Sequence, residues 1–102
     1  MKLFVSQPMS NKSDEEIIKV REHALETVKA IKGDDVELLD SFFQGAPHDE
    51  KPLWFLSKSL ELLSTADYAV FMDGWEEARG CKIEHDCAVE YGIPIIFEIN
   101  AD

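Results

Sequence analysis

Short apolar runs alternate with helix-spaced patterns at a pitch of roughly 30 residues, the periodicity of βα units wound around a parallel sheet. Leu3-Phe4-Val5 is an unbroken apolar run, suited to a strand covered on both faces. Beyond it, Ser13 or Asn11 offers a helix cap, and Glu16 stands three residues after Ser13 as in a capping box. Ile17, Ala24, Leu25, Val28 and Ile31 then mark one helical face, and Gly33 ends that helix.

A second strand is predicted over Val36 to Leu39, followed by a loop from Asp40 to Pro52. The loop carries Phe42 and Phe43 among Gly45, Pro47 and Pro52; such aromatics serve either as lids over a core or as ligand contacts. Pro52 opens a second helix, on which Leu53, Leu56, Leu60 and Leu63 form the apolar face. Tyr68 to Met72 is predicted as the third strand, and Asp73-Gly74 breaks it. A third helix is predicted from Glu76 to Glu90, stopped by Gly92, and Ile93 to Ile99 supplies a fourth strand.

A chain of 102 residues has room for one domain, spanning residues 1–102. Right-handed crossovers and short connections then favour a flavodoxin-like three-layer α/β sandwich with a four-stranded parallel sheet in the order 2-1-3-4. Ligands of such sheets sit beyond the carboxyl ends of the strands, where strand order reverses. Here that point lies between strands one and three. The segments reaching it are Ser6-Gln7-Pro8-Met9, Asp73-Gly74-Trp75 and the start of the third helix.

Charge narrows the partners. With 21 acidic against 10 basic residues, the formal net charge is -11. That field repels phosphate polymers, so nucleic-acid polymers are excluded as partners, while a single nucleoside or nucleotide is not. Cys81 and Cys87 are the two cysteines; with His85 they match no standard zinc spacing and read as packed, reduced thiols. Neither a metal nor a cofactor is expected. The opening MKLFVSQPMS has too short an apolar run for a signal peptide, and no stretch reaches the ~18 apolar residues of a membrane span. A cytoplasmic protein is expected.

The third helix holds one carboxylate out of place. At three and four residues from Glu84 stand Gly80, Cys81, Cys87 and Ala88, all small and uncharged. No lysine or arginine sits at pairing distance, and the face leads to Ala88 and Tyr91. Burial there raises a carboxyl pKa unless a donor or ligand compensates. The alternative is a glutamate at the helix margin that reaches water.

From this helix outward the sequence resembles the nucleoside 2-deoxyribosyltransferase family. The resemblance rests on Asp73-Gly74, Gly80-Cys81-Lys82-Ile83-Glu84, Ala88 and Gly92-Ile93-Pro94-Ile95, with LFVSQPM as the family's first strand and substrate loop. It covers essentially the whole chain and is closer still to a small branch from phages and Firmicute prophages. It implies cleavage or transfer at the N-glycosidic bond between a base and 2-deoxyribose. By position, Glu84 would be the nucleophile. Backbone amides of the Ser6, Gln7, Pro8 and Met9 loop and of the third helix's first residues, near Gly74, Arg79 and Gly80, would hold sugar or phosphate. Trp75, Phe42 and Phe43 would stack on the base. Asp73 is the candidate for proton transfer to the leaving base, or simply a turn former.

The chain departs from the family at three places. Ser59 stands where the family has a sugar-holding aspartate, Ala78 where it has an acidic or hydroxyl residue, and Asp86 where it has a glycine. Arg79 adds a cation that suits a phosphorylated ligand, or else pairs with Glu76. Three functions follow as expectations: an N-glycosidase or deoxyribosyltransferase, a non-catalytic nucleotide-binding protein that sequesters or senses its ligand, or a protein-interaction module. A homodimer or larger assembly is expected, because Trp54, Phe55 and Leu62 extend the second helix's apolar character beyond one face.

Overall fold

A computed structural model describes residues 1–43 and 51–100. Four strands and three α-helices alternate: β1 Lys2–Ser6, α1 Asp14–Lys32, β2 Glu37–Leu38, α2 Pro52–Leu63, β3 Tyr68–Phe71, α3 Arg79–Glu90 and β4 Ile95–Glu98. The strands form one parallel sheet in the order β2-β1-β3-β4, the predicted flavodoxin-like arrangement. Central β1 pairs with β3 from Leu3↔Tyr68 to Ser6↔Phe71. Asp67 anchors that register by accepting the Lys2 amide at 2.6 Å.

Because side chains alternate across a strand, β1 feeds two cores. Leu3 and Val5 join Val70 and Met72 under Ala24 and Val28 of α1. Phe4 joins Ala69 and Phe71 on the opposite face, against Leu63 of α2 and Cys81 and Ala88 of α3. The alternation continues at the strand's exit, so Ser6 and Gln7 leave toward opposite faces. Both are buried.

Ser13 caps α1, its hydroxyl accepting the Glu16 amide at 3.1 Å. Gly33 closes that helix at φ 110°, in the left-handed half of backbone space where a side chain is strained.

Several elements differ from expectation. The third helix does not begin at Glu76: Trp75–Glu77 is a 3-10 turn, Ala78 is extended, and α3 starts at Arg79. Burial of Trp75 in the core draws the chain into that tight turn before the helix begins. The apolar stripes are also narrower than their spacing predicts. Ile31 lies 56% exposed and Leu53 72% exposed, each in the terminal turn of its helix. β2 keeps two residues, as an edge strand can, and β4 begins at Ile95, with a register shift between the pairs Ala69↔Ile95 and Val70↔Phe97. Of the predicted Asp40 to Pro52 loop, residues 44–50, including Gly45 and Pro47, lie outside the described residues.

Candidate active site

The carboxyl ends of β1 and β3 open into a crevice of about 1240 Å³, at the reversal of strand order. Its floor is Glu84, only 8% exposed. Ser6, the last residue of β1, donates its hydroxyl to Glu84 Oε1 at 2.6 Å. The geometry follows from the pleat: Ser6 shares the Phe4 face, which α3 covers. Burial raises the Glu84 pKa above the usual carboxylate range, opposed by hydrogen bonding from Ser6 and Ser59 and by the positive charge of Arg21. Beside it, burial pushes the Cys81 thiol up to about 11, with Ser6 opposing and the Glu84 charge adding to the rise. Cys81 therefore stays a thiol at neutral pH.

The remaining predicted residues divide. Gln7, Pro8, Met9, Phe42, Phe43, Ser59, Asp73, Gly74, Arg79 and Gly80 line the crevice with Ser6 and Glu84. Gly74 holds a φ of 87°, and a Cβ there would meet Pro8 Cγ at 3.1 Å, so both backbone and space require glycine. Phe43 rests edge-on against Trp54 at 6.2 Å, on the α2 side. Trp75 is the exception. Its ring is not in the crevice wall but buried in the core, stacked on His85 with centroids 4.2 Å apart, and His85 Nε2 meets Glu98 at 2.5 Å. A ring so enclosed has no face left for a base.

Two buried polar residues escaped the sequence reading. Arg21, 4% exposed, lies in the apolar stripe of α1 between Ile17 and Ala24. Its position four after Ile17 and three before Ala24 is the signal that marks it as inward-facing. Ser41 lines the crevice after β2 and is buried; its Oγ has no hydrogen-bond partner among the described residues, and neither does Trp75 Nε1. With Ser6, Gln7 and Glu84, these two complete the buried polar side chains found among the described residues. Three hydroxyls (Ser6, Ser41 and Ser59) and the Glu84 carboxyl thus line one space, while the Gln7 amide turns to the α1 side, where its Nε2 donates to the Ile17 carbonyl. Among the described residues, no three His, Cys, Asp or Glu side chains converge to hold a metal ion.

Residues 1–97 match the family described as Domain of unknown function (DUF4406). The chain belongs to that family. No curated protein and no solved structure matches it. In this DUF4406 chain the match takes in all four strands except Glu98, and every residue lining the crevice. Among its described residues, no helix is long and apolar enough to cross a membrane.

Proposed function

We propose that this protein cleaves or transfers the N-glycosidic bond of a nucleoside or deoxynucleotide, with Glu84 as the nucleophile. One observation carries the reading. A buried carboxylate, fixed by the Ser6 hydroxyl, faces an open crevice at the end of β1 and β3. The resemblance to nucleoside 2-deoxyribosyltransferases supports it.

In the reaction, a Glu84 oxygen attacks the anomeric carbon as the bond to the base nitrogen breaks through an oxocarbenium-like transition state. The bonding pair leaves with the base, which takes a proton from Asp73 or solvent. The resulting glycosyl ester is opened by water or by a second base, and the carboxylate is restored. Ser6 fixes the plane of the carboxylate throughout. Phe42 and Phe43 would cover the base. Attack requires the ionised carboxylate, so the raised Glu84 pKa makes activity climb with pH through that value.

A panel of deoxynucleosides and their monophosphates, followed by chromatography for free base, tests the assignment. Base release that Glu84→Ala cuts at least about a thousandfold is the expected result. A second reading, a binder that sequesters or senses a nucleotide without cleaving it, is favoured by Ser59 in place of the sugar-holding aspartate. Thermal stabilisation by a nucleotide with no base released would select it.

The same reading carries an assembly and a compartment. Leu53 is exposed beside half-buried Trp54 and Phe55 at the crevice's α2 wall, a surface suited to a second copy of the chain. Light scattering should report a dimer or larger, and a monomer at micromolar concentration refutes it. The free thiols of Cys81 and Cys87 suit the reducing cytoplasm.

A further inference from the structure

The crevice has two unlike sides. Strand order sets β2 and β3 on opposite flanks of β1, about 10 Å apart at the spacing of neighbouring strands. The chain leaving β2 supplies Phe42 and Phe43 to one side, and the start of α2 adds Phe55, with Lys51 just before the helix. The chain leaving β3 supplies Asp73, Glu77 and Arg79 to the other. Between them, at the end of β1, Ser6 holds Glu84. One side is rich in aromatic rings and the other in charge, with the carboxylate in the middle.

Trp54 organises the aromatic side from behind. Its ring meets Phe43 edge-on, with centroids 6.2 Å apart and planes at 71°, and meets Phe55 at 5.1 Å and 86°. Both are the edge-to-face geometry that ring quadrupoles favour. Lys58 Nζ stands 5.8 Å from the same ring. The backbone beneath is closed: the Lys51 carbonyl accepts the amides of Trp54 at 2.9 Å and Phe55 at 3.4 Å, and Ser57 Oγ donates to the Trp54 carbonyl at 2.7 Å. Phe43, from the chain after β2, is thus tied to α2 through one indole. Two phenyl rings held in this way favour a flat heteroaromatic ring over a hydroxyl-rich sugar.

We infer that the α2 side is the base subsite: Phe43 and Phe55 face the ligand's heteroaromatic ring, and Trp54 is the positioning residue that sets both. The inference rests on the nucleoside reading of the crevice and goes beyond it by fixing the ligand's direction. With the anomeric carbon at Glu84, the base extends toward α2 and the rest of the sugar toward the charged side. Asp73 then stands across β1 from the base, so solvent is the source of the proton that the departing base takes up.

Tryptophan fluorescence tests this without turnover. Glu84→Gln is titrated with the common deoxynucleosides and, separately, with 2-deoxyribose 5-phosphate. At least one deoxynucleoside should quench the emission and the sugar phosphate should not. Adding Trp54→Phe should abolish the quench, because the other tryptophan, Trp75, is buried in the core. By calorimetry, Phe43→Leu and Trp54→Leu should each weaken deoxynucleoside binding about tenfold, while Trp54→Phe, which keeps an aromatic edge, binds within about twofold of the native chain. The quench is read without the leucine variants, so it stands if they do not fold.

A quench that survives Trp54→Phe overturns the inference. So does an equal loss of sugar phosphate binding in Trp54→Leu, or calorimetric binding of a deoxynucleoside with no change in emission. Base release with no Trp54 response removes the subsite and leaves the Glu84 chemistry. A Trp54 response with no base release from the native chain keeps the subsite and removes the chemistry.

Discussion

Helices α1 and α3 cover opposite faces of one sheet, and each buries one arginine or glutamate in its apolar stripe. On α1 it is Arg21, between Ile17 and Ala24; on α3 it is Glu84, between Cys81 and Ala88. Their surroundings differ. The long arginine side chain spends its donors on the Leu39 carbonyl and on Gln7, groups the fold itself provides. The shorter glutamate has Ser6 and Ser59 for company, with open space above it. Burial alone thus does not mark a reactive group. The mark is burial together with unfilled room, which is why α3 and not α1 carries the proposed chemistry.

The largest test of that contrast is Arg21→Ala. Removing the guanidinium empties a buried position and leaves the Gln7 amide oxygen without its donor, while the Leu39 carbonyl keeps the Ser41 amide, so urea unfolding should show a loss of about 3 kcal/mol. A loss near that of an exposed residue would mean α1 tolerates an empty position there, and the two helices would differ less than their contacts indicate. Ser6→Ala comes next. It strips Glu84 of its short hydrogen bond and should cost about 2 kcal/mol at neutral pH, with the carboxyl titrating higher still by NMR.

The smallest effect has the opposite sign. The folded Glu84 pKa lies above its unfolded value, so the native chain holds a proton that the unfolded chain has released. The associated stability is complete below the ordinary carboxylate range and is lost as pH rises through the raised folded value. Glu84→Gln has no such loss. It should be about 1 kcal/mol more stable than the native chain at neutral pH and no more stable near pH 4, by paired urea melts. A gain independent of pH would show that the carboxylate bears no ionisation cost.

Much of this was legible in the residues themselves. The βα alternation and the crossover rules lead directly to the order 2-1-3-4, because each strand is a short apolar run and each helix begins or ends on Ser13, Gly33, Pro52 or Gly92. The small neighbours of Glu84 pointed to its buried setting. What stayed hidden depended on partners distant in sequence. Arg21 reads as a polar helix residue unless its place between Ile17 and Ala24 is weighed, and its acceptors at Gln7 and Leu39 belong to other elements. Trp75 follows a turn at the crevice, yet its ring is claimed by Phe71 and His85 inside the core. Leu53 keeps the leucine spacing of α2 but lies exposed in the first turn of the helix, at the crevice.

The pairing of β1 has a kinetic consequence. Its inner neighbour β3 lies far along the chain, and the Lys2–Asp67 hydrogen bond spans 65 positions. Closing so long a loop is slow, and until it closes one edge of the apolar run Leu3-Phe4-Val5 stays unsatisfied and ready to pair with another molecule. The Ser6–Glu84 contact spans 78 positions, so it too needs a long-range closure. Intermediates on the way to this protein are therefore prone to stick together before the crevice is assembled.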